Sequence, residues 1–282
     1  MRLILSRKGF DSSAGGCPSP ILPDGRLLSL PIPDTQSDIC YRDVQLQGQS
    51  IAKWVNNLTG KPRFAQQGAH LDPDLREDAL PNRHQEWHGI LGQHGAAQSH
   101  LMNESVDCGD LFLFFGLFRP IEMVKRRWRF VPGVPARHVI WGWLQIDSIV
   151  SVDSLAPNAL PWTRYHPHHR YPPDPTNTLY LARQSLTLNG QPTPHRGFGI
   201  FNDLSSGRTL SHPEHRTPSD WILPLCFAPR PDEPALSYHR NPSRWQIGKT
   251  GCSLRAAARG QEFVLGKQAT KKSLPWIERL FN

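Results

Sequence analysis

The sequence lacks any apolar run long enough to cross a bilayer. The longest, Leu111 to Phe118, is interrupted by Gly116, whereas a membrane-spanning helix needs about 20 such residues. A helical membrane protein is excluded. Cysteine is sparse, and Cys17, Cys40, Cys108, Cys226 and Cys252 are odd in number, scattered and without a C-x-x-C pair. Neither a disulfide framework nor a zinc ribbon is expected, and a reducing, cytoplasmic home is the default. The start, Met1 to Lys8, has only three apolar residues in a row, Leu3 to Leu5, before Ser6 and charge. A secretory h-region needs roughly 7–15, so this start reads as a first β-strand. No Walker A loop, G-x-G-x-x-G or G-x-S-x-G occurs. P-loop hydrolysis, dinucleotide chemistry and the α/β-hydrolase mechanism lose their signatures, and no cofactor is expected. Internal repeats are absent too, which removes solenoids and propellers.

What is present is 282 residues with 38% hydrophobic content, enough to bury a core as a single domain spanning 1–282. The 22 glycines and 27 prolines mark a loop-rich globule. Lys+Arg 32 against Asp+Glu 24 leaves a net charge of +8, which makes nucleic acid the first partner to consider.

Short apolar runs bounded by Gly, Pro and Asp predict strands at Arg2–Leu5, Leu27–Ile32, Leu111–Phe118, Val139–Val150, Thr178–Leu181 and Glu262–Leu265. Ile51, Trp54, Val55 and Leu58 form one apolar face, so Ser50–Leu58 predicts a helix ended by Gly60. Ala96–Met102 and Pro275–Phe281 are further helices, the second with Pro275 at its first position. Nine prolines between residues 156 and 216 predict ordered loop with one inserted strand pair, and a soft division of the chain near residue 155. With no βαβ rhythm, the expected class is α+β, with a mixed or antiparallel sheet, few short helices and long proline-rich loops.

Thirteen histidines invite a metal reading. In His84-Gln85-Glu86-Trp87-His88 the glutamate sits one place late for a zinc-protease helix, and Pro81 and Gly89 leave little helix. His166-Pro167-His168-His169 reads as an exposed, weakly basic loop. No metal is expected. The basic features are stronger: Lys125, Arg126, Arg127 and Arg129 surround Trp128, a pattern suited to phosphate contacts with a stacking ring, and Arg255 and Arg259 belong to a second cluster.

The N-terminal segment Ser6 to Pro20 follows its strand with a glycine-bearing turn offering a cation, a carboxylate and two hydroxyls. This is a candidate anion or sugar cradle. Its residues Ser6-Arg7-Lys8-Gly9-Phe10-Asp11-Ser12-Ser13, with Gly16-Cys17-Pro18-Ser19-Pro20, resemble the opening of the third type of nucleotide-modification-associated domain. The resemblance continues through Ala69 to Asp74, Gly92 to Leu101, Gly109 to Phe115, Trp221 to Pro224, Ser237 to His239, Trp245 and Gly260 to Val264. It implies a setting of enzymes that make or handle modified bases, in phages and in bacteria that resist them.

Within that setting a small basic chain without a donor motif is suited to hydrolysing an N-glycosidic bond. The expected activity is a DNA glycosylase that flips and excises hypermodified pyrimidines, such as glycosylated hydroxymethyl bases, from double-stranded phage DNA in defence. Departure of the base puts positive charge on C1′, which a carboxylate stabilises more in the transition state than in the ground state. Asp11 is the first candidate, with Lys8 as a steering cation or amine nucleophile, and Asp72 or Asp74 as alternative acids. Ser12 and Ser13 would hold the carboxylate or a phosphate. Gln93, Gln98 and His100 would read the base, Tyr238, His239 and Trp245 form a second polar aromatic group, and Glu262 is a strand charge awaiting a basic partner. Two competing readings remain. One is a non-catalytic reader, because Gly109–Phe118 and Val139–Ile146 look like paired strands of PUA-like barrels. The other is a modifying enzyme whose partner supplies the donor.

Overall fold

A nine-stranded mixed sheet organises the computed structural model, which describes residues 1–230 and 236–282. Its strands are β1 (Leu3–Arg7), β2 (Ser19–Ile21), β3 (Ile90–Gln93), β4 (Leu111–Val124), β5 (Arg127–Phe130), β6 (Arg137–Ser151), β7 (Thr178–Ala182), β8 (Phe198–Ile200) and β9 (Glu262–Leu265). The path runs β9-β1-β4-β6-β7-β3, with β2 and β5 added to β4 and β8 to β6. β1 and β4 are parallel, with Leu3 opposite Leu111 and Arg7 opposite Phe115, and the other pairs along the path are antiparallel. Helices α1 (Ala52–Thr59), α2 (Gly95–Asn103) and α3 (Lys267–Phe281) complete an α+β fold. Among the described residues no helix is long and apolar enough to cross a membrane.

Strand periodicity sorts the side chains into two cores. Leu3, Leu5, Leu113 and Phe115 pack with Trp221, Leu254 and Ile277, under α3 and a small sheet of residues 220–223, 245–247 and 252–255. Ile4, Phe112, Phe114, Leu144, Leu179 and Val264 pack on the opposite side with Leu101 of α2. The first half of β4 is buried on both faces, which is why it reads as an unbroken apolar run. A third core, around Phe10, Tyr41, Val55 and Phe64, supports the turn that follows β1.

The outermost strands of the path meet. Gln93 at the end of β3 donates through Nε2 to Oε1 of Glu262 at the start of β9. The sheet therefore curls until its edges face each other, with side chains bridging them.

Several local expectations need correction. Leu27–Ile32 is not a strand, because only Ile32–Pro33 pairs, with Ala69–His70, while Leu27 makes a single bridge to Ile21. α3 begins at Lys267 and carries Pro275 inside it. Its buried positions Ala269, Thr270, Ser273, Ile277 and Leu280 trace one face, and packing of that face outweighs the helix bond lost at proline. The proline-rich stretch 156–216 supplies β7 and β8 to the main sheet in addition to a separate hairpin, Ser185–Leu188 with Gln191–Arg196.

Candidate active site

The chain leaves β1 at Arg7 and turns through Lys8 and Gly9. Gly9 has φ +96°, and a Cβ there would lie 2.8 Å from Ser29 Oγ, so the turn requires glycine. Asp11 then closes a turn on itself. Its Oδ1 accepts from Ser13 N–H at 2.7 Å, Ser13 Oγ–H at 2.6 Å and Ala14 N–H at 2.8 Å. Its Oδ2 takes no hydrogen bond among the described residues. Beside this turn opens a cleft of about 200 Å³, whose walls include Lys8, Asp11, Ser13, His70, Asp72, Gln93 and His168.

Lys8 Nζ lies 3.4 Å from Glu262 Oε1, which also accepts from Ser6 Oγ at 3.0 Å and from Gln93. Burial raises the Glu262 pKa above the ordinary carboxyl value, against the opposing pull of Lys8 and Ser6, and Oε2 is buried without a partner.

A buried histidine cluster forms the adjoining wall. Asp72 Oδ1 accepts from Gly92 N–H at 2.7 Å, and Oδ2 lies 3.6 Å from His70 Nε2. Burial alone would neutralise Asp72, yet His166, His70 and Lys8 hold its carboxyl well below the usual range. Burial likewise works against a charged His70, but Asp34 at 2.8 Å from Nδ1 and Asp72 beyond Nε2 raise its pKa to about 9. His168 is different, because burial drives its pKa down to about 3. Asn177 Nδ2 donates to the His168 carbonyl at 2.9 Å, which turns Oδ1 toward His168 Nδ1 at 2.7 Å. Nδ1 therefore carries the proton and Nε2 is left as a lone pair. His166 Nδ1 accepts from His168 N–H, so its Nε2–H faces Asp72 Oδ1 at 3.3 Å.

The structure thus brings Lys8, Asp11, Asp72, Ser13 and Gln93 to one cleft, with Glu262 directly behind Lys8. Other residues singled out from the sequence stand elsewhere. Ser12 is exposed outside the cleft. Asp74 is buried against Arg83 Nη1 at 2.6 Å and Tyr165 OH at 2.6 Å. Gln98 accepts from Tyr180 OH at 2.8 Å in the core. His100 Nε2 meets Ser237 Oγ at 2.9 Å, with Tyr238 packed on its ring. His239 Nε2 accepts from Ala257 N–H at 2.9 Å, and Trp245 Nε1–H donates to the His239 carbonyl at 2.7 Å. Lys125, Arg126, Arg127 and Arg129 are exposed around the β4–β5 turn, Arg129 paired with Glu122 at 2.9 Å, and Trp128 packs on Trp54. Arg255 pairs with Asp220 at 3.4 Å, and Arg259 is exposed beside Gln261 of the cleft wall.

The reading of His166–His169 as an exposed loop is overturned. His166 and His168 are buried, because Pro167 opens a short 3-10 turn that tucks both rings under Asp72. Sequence reasoning also passed over His70, Asp34, Gly92 and Asn177. Two short spacings, H-x-D at residues 70–72 and H-x-H at residues 166–168, were the available signal, since each sets two candidate ligand side chains two positions apart.

A larger groove of about 680 Å³, beside residues 246–253, has Arg279 as its sole charged wall residue among the described residues and offers no comparable chemistry. No curated protein and no solved structure is significantly similar to the chain. Residues 2–266 do match a family, and the chain belongs to that family, described as nucleotide modification associated domain 3.

Proposed function

We propose that the protein releases a modified base from DNA by hydrolysing its N-glycosidic bond in the cleft beside β1. The observation that supports this most directly is the convergence of the turn carrying Lys8 and Asp11 with Asp72 and Gln93 from two other segments on one small polar cleft. Its volume of about 200 Å³ is below the ~300–1,000 Å³ of drug-sized pockets and suits one extruded ring.

Asp11 is pre-positioned by its own turn, with one oxygen satisfied and the other open. As the C1′–N bond breaks, its electron pair leaves with the base and positive charge grows at C1′, which Asp11 stabilises. Water adds its oxygen to C1′, Asp11 takes the released proton, and that proton ends on the departing nitrogen. Lys8, held by Glu262, acts as a fixed charge and not as an amine nucleophile. Gln93 commits its amide N–H to Glu262, leaving its carbonyl oxygen to accept from an exocyclic amino group of the base.

The test is incubation of the purified chain with unmodified and with hypermodified phage DNA, without added cofactor. Released bases are read by mass spectrometry and abasic sites are assayed. The expected result is a released modified base with matching abasic sites, lost in Asp11→Asn while DNA binding persists. Tight binding without release would replace the hydrolase with a non-catalytic reader.

A further inference from the structure

We propose that His70, Asp72 and His168 hold one divalent first-row transition-metal cation, of which Zn²⁺ is the matching example, in the wall of the cleft. This inference shares the cleft with the hydrolase reading but does not rest on it.

The ligand atoms are already gathered. One from each side chain lies within 4.8 Å of the other two, and His70 Nε2 is 3.6 Å from Asp72 Oδ2. Tetrahedral zinc with bonds near 2.1 Å places its ligand atoms about 3.4 Å apart. The set is closed from behind by the partners that metal-ligating groups use. Asp34 engages His70 Nδ1 and Asn177 Oδ1 engages His168 Nδ1, so the Nε2 atom of each ring is left for the cation, His70 Nε2 already beside Asp72 Oδ2. Gly92 N–H holds Asp72 Oδ1, which leaves Oδ2 free to ligate. All three ligands are buried, and three protein ligands leave a fourth position open toward the cleft, as in sites that present a bound water. The cation would displace the proton that His70 otherwise directs at Asp72.

The test uses the full chain, stripped with chelator and titrated with ZnCl₂ by calorimetry, with Co²⁺ absorption as an independent report of the ligand field. One equivalent is expected. His168→Ala and Asp72→Asn should abolish it, and Asn177→Ala, which lies behind the ligands, should weaken it about 10–100-fold. Binding should persist in Asp11→Asn and in a His212→Ala/His215→Ala double variant, which removes half-buried His212 and the exposed His215 stacked on it, away from the cleft. Circular dichroism identifies any variant that has lost its fold, and Asn177→Ala then carries the comparison. Absence of stoichiometric binding would overturn the site, as would binding that survives in folded His168→Ala or follows His212 and His215. Zinc binding without base release would leave the metal site standing and remove the hydrolase.

Discussion

Gly92 lies flat against the imidazole of His168: a Cβ at position 92 would come within 2.3 Å of the His168 ring carbon Cδ2 and 2.5 Å of its Nε2. The same residue donates its N–H to Asp72 at 2.7 Å. One backbone position therefore sets both the imidazole and the carboxylate. Gly92→Ala should displace His168, destabilise the fold by about 1–3 kcal/mol as an overpacking change, and abolish whatever the cleft does. Urea unfolding and the base-release assay check the two effects. Wild-type activity in a folded Gly92→Ala chain would show that the cluster is only a packing feature.

Glu262 joins the curled sheet across its edges and neutralises Lys8. Glu262→Ala leaves a buried ammonium without its partner, and breaking such a pair costs about 3–5 kcal/mol. Glu262→Gln, which keeps an acceptor for Ser6 and Lys8, should cost less. Equal losses in the two variants by denaturant titration would mean that shape, not charge, matters at this position.

Where a local pattern decides the structure, the sequence was legible. The strand at Glu262–Leu265 and the Gly60 stop of α1 follow from a short apolar run after Gly260 and from a left-handed glycine cap. Lys8, Asp11 and Asp72 were identifiable as chemistry because Lys8 and Asp11 crowd one glycine-bearing turn and Asp72 sits beside a proline. The histidine cluster was not legible. His70 and His166 are 96 positions apart, and their segments reach the same wall by packing against β3, where Gly92 donates to Asp72 and lies against the ring of His168. Burial of His168 depends on Asn177 and Gly92 accepting it, which no window of sequence reveals.

Acid should unfold the protein through buried neutral histidines. Burial, assisted by the nearby Arg7 charge, lowers the His138 pKa to about 3, and its Nδ1 accepts the Trp221 indole N–H at 2.9 Å. In the unfolded chain the pKa is about 6.5. Between those values the unfolded state binds more protons, so this contribution is intact above pH about 6.5 and is lost as pH falls toward 3. His239, lowered to about 4 chiefly by burial, acts in the same direction. Each contributes up to about 1.4 kcal/mol per pH unit within its window. Denaturant titrations at pH 7 and pH 5 should show the loss, and His138→Gln should flatten it. An identical pH slope in that variant would remove His138 from the account.

The β4–β5 turn carries a dense run of exposed positive charge, in a pattern suited to gripping phosphates. Lys125 and Arg126 occupy the turn with φ +48° and +64°, and both project beyond the sheet along with Arg127. Arg129 is partly neutralised by Glu122, so the free charge resides mainly in the first three. If these side chains neutralise phosphates, replacing all three with serine should weaken DNA binding across sequences and reduce the salt slope by up to about 0.9 for each phosphate no longer neutralised. Because the turn lies ten residues along β4 from Phe115, which pairs with Arg7 at the cleft, the variant should still process a short single-stranded substrate. Fluorescence anisotropy over a salt series measures the slope. An unchanged slope would assign the footprint to Arg259 and the cleft rim, where Arg7 already anchors the 257–258 backbone through its guanidinium at 2.8 and 3.0 Å.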